Sequence, residues 1–127
     1  MFPSVNPTNT NAWQLLQAHA AEMKDVHMRD LFSGDASRFD RYAFPLEDIL
    51  VDFSKNRITD RTMQLLWQLA NECKLKDGIN AMFGGDAINR TEKRAVLHVA
   101  LRNASDRPVY TAGENVMPAI KKVQRKM

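Results

Sequence analysis

From Thr59 to Cys73 the apolar residues return every third or fourth position: Met63, Leu66, Ala70 and Cys73 form one seam, and Leu65 and Leu69 broaden it. That period is helical, because a turn of 3.6 residues brings such positions onto one face while a strand would scatter them over two. Thr59 stands where a cap hydroxyl accepts a backbone N–H, so the spacing predicts an amphipathic helix over 59–74. An apolar face that wide has to be covered by another element. Packed helices are therefore the first expectation for the chain.

The same period recurs on both sides of this segment. Trp13, Leu16, Ala20 and Met23 predict a helix over 11–24, capped by Thr10 or Asn11. Before it, Met1 to Asn11 carries Pro3, Pro7 and several Asn and Thr, and reads as an irregular arm. "MRDLFSGD" predicts a short helical turn stopped by Gly34 at positive φ, with a connection after it. Ile79, Met82 and Phe83 predict a short helix over 76–83, ended by Gly84 and Gly85. Thr91 is expected to cap a helix through "EKRAVLHVALR", with Glu92 in its first turn and apolar residues around much of its circumference: Ala95, Val96, Val99 and Ala100 on one side, Leu97 and Leu101 on the other. Asn115 opens a last helix whose stripe, Val116, Ile120, Val123 and Met127, runs to the final residue without a capping residue, so the chain is expected to stop inside an element.

One stretch changes period. In "RYAFPLEDILVDFSK" Ile49, Val51 and Phe53 alternate with Leu50, Asp52 and Ser54, and Pro45 marks the expected turn, which together predict a β-hairpin. Two strands alone are marginal in water, so the hairpin should lie against something else. "VYTAG" is a short β-like segment, and "SKNRITD" reads as the connection leading to Thr59. The fold class expected is mainly α with a small β-hairpin.

Composition excludes several classes. With 127 residues, 44% hydrophobic and 26% charged, the chain has the make-up of one globular domain or part of one, far from a disordered composition. No apolar run approaches the roughly 18 residues of a membrane helix, and "MFPSVNPTNTN" has no signal-peptide pattern. A cytoplasmic protein without membrane partners is expected. Cys73 is the single cysteine, which agrees with a reducing compartment, and its place in a helical seam reads as a small core hydrophobe. The net charge of +3 comes from the tail: setting aside Lys121, Lys122, Arg125 and Lys126 leaves 14 basic against 15 acidic residues. No basic surface continues the tail, so no nucleic-acid partner is expected, although a stand-alone helical interaction module with a basic tail is the competing reading.

Spacing gives little sign of a site. "FGGDAINRT" places two glycines before a capped helix but lacks the Lys and Ser or Thr of a phosphate loop and the spaced glycines of a dinucleotide fingerprint. His19, His27 and His98 have no partner at four residues and no nearby cysteine pair, which argues against a metal site; His98, in a largely apolar helix, reads as a core histidine. No strained nucleophile turn occurs. The residues alone imply no catalytic, cofactor-binding or metal-binding constellation.

The run "MFGGDAINRTEKRAVLHVALRN" is more specific. It closely resembles the N-terminal signature of the phosphoglucose isomerase (glucose-6-phosphate isomerase) family, matched in order by Ile88, Asn89, Thr91, Glu92, Arg94, Ala95, Val96, Leu97, His98, Ala100, Leu101 and Arg102. "AWQLLQAHAAEMKDV", "ILVDFSKNRIT" and "NVMPAIKKVQRKM" are similar to the family's flanking segments; Asp86 and Ala87 depart from its common Glu and Lys. The resemblance implies the N-terminal part of a larger α/β sugar-isomerase enzyme, with residues 1–127 forming one segment ahead of the first sugar-isomerase domain. It implies interconversion of glucose 6-phosphate and fructose 6-phosphate through a cis-enediol, without metal or organic cofactor, by a homodimeric enzyme of glycolysis and gluconeogenesis. The family's sugar-phosphate loop, its proton-shuttling glutamate and its ring-opening histidine and lysine come from later segments, so none of these 127 residues is expected to be catalytic. Apolar faces left without partners then imply a loosely packed chain that exposes hydrophobic surface.

Overall fold

The computed structural model describes residues 4–105 and 107–126, and there the chain is mainly α-helical with two small β-hairpins. It packs as two compact units, Asn6–Glu72 and the residues from Cys73 onward.

The N-terminal unit begins with a 3-10 turn at Pro7–Asn9, where the expected arm would be irregular; the Asn6 side chain accepts the Thr8 N–H at 3.1 Å and Pro7 supplies a preset φ. Helices α1 (Asn11–Glu22), α2 (Met28–Ser33), α3 (Arg38–Tyr42) and α4 (Asp60–Glu72) follow, with strands β1 (Ala43–Leu46) and β2 (Ile49–Asp52) between α3 and α4. Thr10 caps α1 by accepting the Trp13 N–H at 3.2 Å. At the head of α4, Thr59 and Thr62 exchange caps, each hydroxyl taking the other's backbone N–H at 3.0 and 3.4 Å.

Helix α1 packs against α4 in antiparallel fashion. The Ala12 N–H, in the first turn of α1, donates to Glu72 Oε2 at 3.1 Å in the last turn of α4, and His19 Nε2 lies 2.8 Å from Thr62 Oγ1 at the opposite end. Ala12 and Leu65 are the buried apolar residues of this pair, Leu65 with 1% of its surface exposed. The buried faces differ in phase from the periodic reading. Leu66 points to solvent while Met63, Ala70 and Cys73 are half-buried, and on α1 Ala20 is exposed while His19 is buried. The reason is physical: a broad apolar arc satisfies a helical period over a range of rotations, and polar ties then choose among them.

Three local expectations are corrected. Gly34 has φ −81°, not positive; its N–H makes the last helical bond of α2, to Asp30 O at 2.9 Å, and beyond it Asp35 Oδ1 takes the Ser37 N–H at 3.0 Å in a local side-chain turn that competes with further helix. The connection after it contains α3, whose five residues are too few to show a period. Pro45 lies within β1, paired with Leu50, and the hairpin turns at Glu47, which takes φ 51°. The Phe53 N–H donates to Tyr42 O at 2.8 Å, which makes Tyr42 and Phe53 a hydrogen-bonded pair and therefore Pro45 and Leu50 a non-bonded one. The proline nitrogen faces away from the ladder and costs it no bond.

The C-terminal unit holds α5 (Leu75–Phe83), α6 (His98–Leu101), strands β3 (Tyr110–Thr111) and β4 (Glu114–Asn115), and α7 (Met117–Gln124). Helix α6 packs on both α5 and α7, with Ala95, Ala100 and Met117 buried. The second glycine after α5 is required by space: Gly85 has φ 79°, and a Cβ there would stand 2.0 Å from Tyr110 O. Asn115 belongs to β4, yet its Oδ1 accepts the Met117 N–H at 3.1 Å and so still serves the first turn of α7. That helix does not run to the last residue. It closes at Gln124, the Arg125 N–H bonding Lys121 O at 3.1 Å; Val123 is exposed, and Met127, the last member of the expected stripe, lies outside the described residues.

Candidate functional site

The run at 82–103 folds in three pieces. Phe83 ends α5, residues 84–97 form a closed loop, and α6 begins only at His98. The helix expected from Thr91 through Arg102 is therefore reduced to its last turn. Asn89 and Arg94 pair through both backbone bonds, at 3.1 and 3.2 Å, while Asn89 Oδ1 accepts the Glu92 N–H at 3.1 Å and Lys93 takes φ 51°. A left-handed residue inside a two-way backbone clasp cannot continue a helix. The Glu92 carboxylate, placed by this turn, pairs with Arg94 and accepts from Asn89 Nδ2 at 3.3 Å. Ala95 and Ala100 are buried, Val96, Leu97 and Val99 half-buried, and His98 is exposed at the helix start instead of lying in the core.

This geometry answers whether the glycines cradle an anion. A phosphate site needs free N–H groups converging on one point. Here the Gly84 N–H bonds Asn80 O at 2.8 Å, Gly85 bonds Met82 O at 3.3 Å, Asp86 bonds Ala81 O at 3.0 Å and Ile88 bonds Asp86 O at 2.8 Å. These four amides are spent on the last turn of α5 and on the loop. A cleft of 590 Å³ lies beside it, lined by Gly85, Asp86, Lys93, Arg94, Tyr110 and Thr111 among others, and its lining contains no histidine, glutamate, serine or cysteine.

The strongest polar cluster is in the N-terminal unit, among residues that periodicity does not single out. Arg38 is 3% exposed. Its Nε donates to Ser54 O at 2.8 Å and its Nη2 to Asn56 O and Ile58 O at 2.8 and 3.0 Å, and its guanidinium sits 4.8 Å from the Tyr42 ring centroid and 5.5 Å from that of Phe32. Beside it the Tyr42 hydroxyl donates to Asp60 Oδ1 at 2.7 Å, and Arg41 bridges Asp35 and Asp60. The tyrosine's hydrogen bond, then the Arg41 charge, hold the Asp60 carboxyl below the usual carboxylate range, while burial and the same bond push the Tyr42 phenol up. Every charge in the cluster is engaged in fixing the connection 54–60 to α3 and the head of α4, which is a structural task.

The three histidines have separate local roles. His19 Nδ1 lies 3.1 Å from Glu22 Oε2 and its Nε2 meets Thr62; His27 Nδ1 caps α2 by accepting the Arg29 N–H at 3.1 Å; His98 faces solvent. Among the described residues no group of three or more His, Cys, Asp or Glu could hold a metal ion, and no helix is long and apolar enough to cross a membrane. Cys73 is a free, half-buried thiol at the end of α4.

A family model describing phosphoglucose isomerase matches residues 52–127. The chain belongs to the phosphoglucose isomerase family. In this phosphoglucose isomerase family member the matched residues take in α4 and the C-terminal unit, and so enclose the whole signature run. The signature thus marks a clasped loop and a one-turn helix in which Ala100 is the buried residue. Arg38, Tyr42, Asp60 and the His19 to Thr62 tie had no periodic or motif signal; only the packing reveals them.

Proposed function

We propose that this chain is the N-terminal portion of a glucose-6-phosphate isomerase, the aldose–ketose isomerase that interconverts glucose 6-phosphate and fructose 6-phosphate by proton transfer through a cis-enediol. The observation that carries the reading is the family match over residues 52–127, which encloses the signature from Ile88 to Arg102. In this reading residues 1–127 are a single segment ahead of the first sugar-isomerase domain of a larger α/β enzyme, a cytoplasmic homodimer of glycolysis and gluconeogenesis. The sugar phosphate is the partner of that whole enzyme, and the proton-transfer chemistry calls for no metal or organic cofactor. The family match gives no support to a stand-alone interaction module with a basic tail.

The segment's own contribution is packing. A general base must reach the proton it abstracts within hydrogen-bond distance, and the family's proton-carrying groups belong to segments with no counterpart in these 127 residues. The purified chain is therefore inactive. The test is a coupled assay from fructose 6-phosphate, in which glucose 6-phosphate formation drives dehydrogenase-linked reduction of NADP. No turnover above the enzyme-free rate is expected; turnover proportional to chain concentration overturns the reading of an inactive segment.

A further inference from the structure

We infer that the cleft bordered by the 84–97 loop and the β3–β4 turn is an oxyanion site, one that selects a phosphate group still carrying a proton. The glycine amides on one wall are spent on α5 and the loop, so an anion in these 590 Å³ has to be held by the other groups that border them. Lys93 and Arg94 supply two adjacent cations. Among the described residues no carboxylate pairs with Lys93, and Arg94 gives its Nε to Glu92 while its two Nη groups have no partner. The amides of Lys93, Ala112 and Gly113 likewise donate to no described residue, and Thr111 adds a hydroxyl. The backbone is bent to make this arrangement. Of the six described residues with a left-handed φ, Gly85, Lys93, Ala112 and Gly113 all border this one cleft, and Lys93 and Ala112 hold that φ in spite of a Cβ. Strain of this kind gathers at ligand clamps, where the surrounding structure holds a residue against its preference. At Lys93 the two-way clasp between Asn89 and Arg94 does the holding.

Asp86 decides which anion is taken. Its carboxylate borders the same cleft and accepts no hydrogen bond from a described residue. Beside two cations, a lone carboxylate repels an anion that has lost every proton, whereas an oxyanion with a remaining O–H donates that hydrogen to it. Inorganic phosphate carries such a hydrogen, and so does a phosphate monoester near its second pKa of about 6. Sulfate, of the same shape as phosphate, carries none. The cations and free donors therefore supply attraction, and the carboxylate supplies the choice between two otherwise similar ions.

The test is isothermal titration of the whole chain, in a zwitterionic buffer at about pH 6, with inorganic phosphate, glycerol phosphate and sulfate in turn. Inorganic phosphate is expected to bind saturably in the millimolar range, at least about tenfold more tightly than sulfate. Asp86→Asn replaces the acceptor by a side chain that can also donate, and brings sulfate to within about twofold of phosphate. Lys93→Gly removes the cation while relieving the left-handed backbone, so phosphate binding is lost from a chain whose fold is not weakened. Lys76→Ala removes an exposed cation of α5 that does not border the cleft, and binds phosphate as the wild-type chain does. Glycerol phosphate that binds as phosphate does supports a site for monoesters, and its rejection supports a site for the free ion. Absence of saturable phosphate binding, equal binding of sulfate by the wild-type chain, or undiminished binding by Lys93→Gly overturns the inference. Far-UV circular dichroism of every variant separates loss of the ligand from loss of fold.

Discussion

Arg38 is an interior cation held by three carbonyl oxygens and two ring faces, and among the described residues no carboxylate pairs with it. Truncating it strips the partners from carbonyls that have left water, each worth about 1 kcal/mol or more. Arg38→Ala is expected to destabilise the N-terminal unit by about 3 kcal/mol in urea unfolding, with Arg38→Lys recovering only part, because an ammonium lacks the planar fork that spans three acceptors. Carboxylates give the pH dependence. The Glu72 carboxyl is held below its usual range first by the Ala12 N–H and then by Gln68, and Asp60 is lowered in the same direction. A lowered folded value means that the unfolded chain takes up protons first as the pH falls. Their stabilisation is full at neutral pH and is lost as the pH drops through about 4. Melting temperature should fall between about pH 5 and pH 3, and Glu72→Gln should flatten that fall; a slope unchanged in Glu72→Gln would show that the carboxylate does not tie α1 to α4. None of this was legible beforehand, since Arg38 and Asp60 carry no period: the partners of Arg38 are backbone carbonyls, which side-chain patterns do not reveal, and those of Asp60, Tyr42 and Arg41, stand 18 and 19 residues away in sequence.

At the scale of elements, the long helices were readable and the loops were not. Helix α4 was marked by both its period and Thr59, and its cap is where the hydroxyl placed it. The run from Thr91 to Arg102 has an equally good helical pattern, yet its first half is a clasp, because Asn89 offers its side chain to the Glu92 amide and a local hydrogen bond outcompetes helix formation. The two readings make opposite predictions for one substitution. An N-cap threonine costs about 1 kcal/mol when replaced by alanine; here Thr91→Ala should be neutral within about 0.5 kcal/mol. Lys93→Gly should be neutral or stabilising by up to about 1 kcal/mol, since it relieves the left-handed backbone. Gly85→Ala should cost about 2 kcal/mol or more, because its φ of 79° and the Tyr110 carbonyl both oppose a methyl group. Differential scanning calorimetry on the three variants decides these signs.

At the scale of the whole molecule, the family signature told what the chain belongs to, whereas its division into two units left no trace in composition or spacing. Apolar surface remains uncovered in both: Trp67, at 66% exposure, Leu46 and Leu50 in one, Leu75, Phe83 and Val123 in the other. ANS fluorescence should rise on adding the native chain, and near-UV circular dichroism should come chiefly from half-buried Trp13, with little from Trp67. A sharp cooperative melt without ANS binding would contradict this. The antiparallel lie of α1 on α4 has one more consequence. Because the Ala12 amide touches the Glu72 carboxylate, the stretch Asn6–Glu72 leaves its fold close to where it enters, so in space it is nearly a ring, and a ring has no preferred first residue. Reopened at the Glu47 turn and joined from Glu72 back to Asn6 by a flexible linker, it should rebuild the same helix pair from a reordered gene.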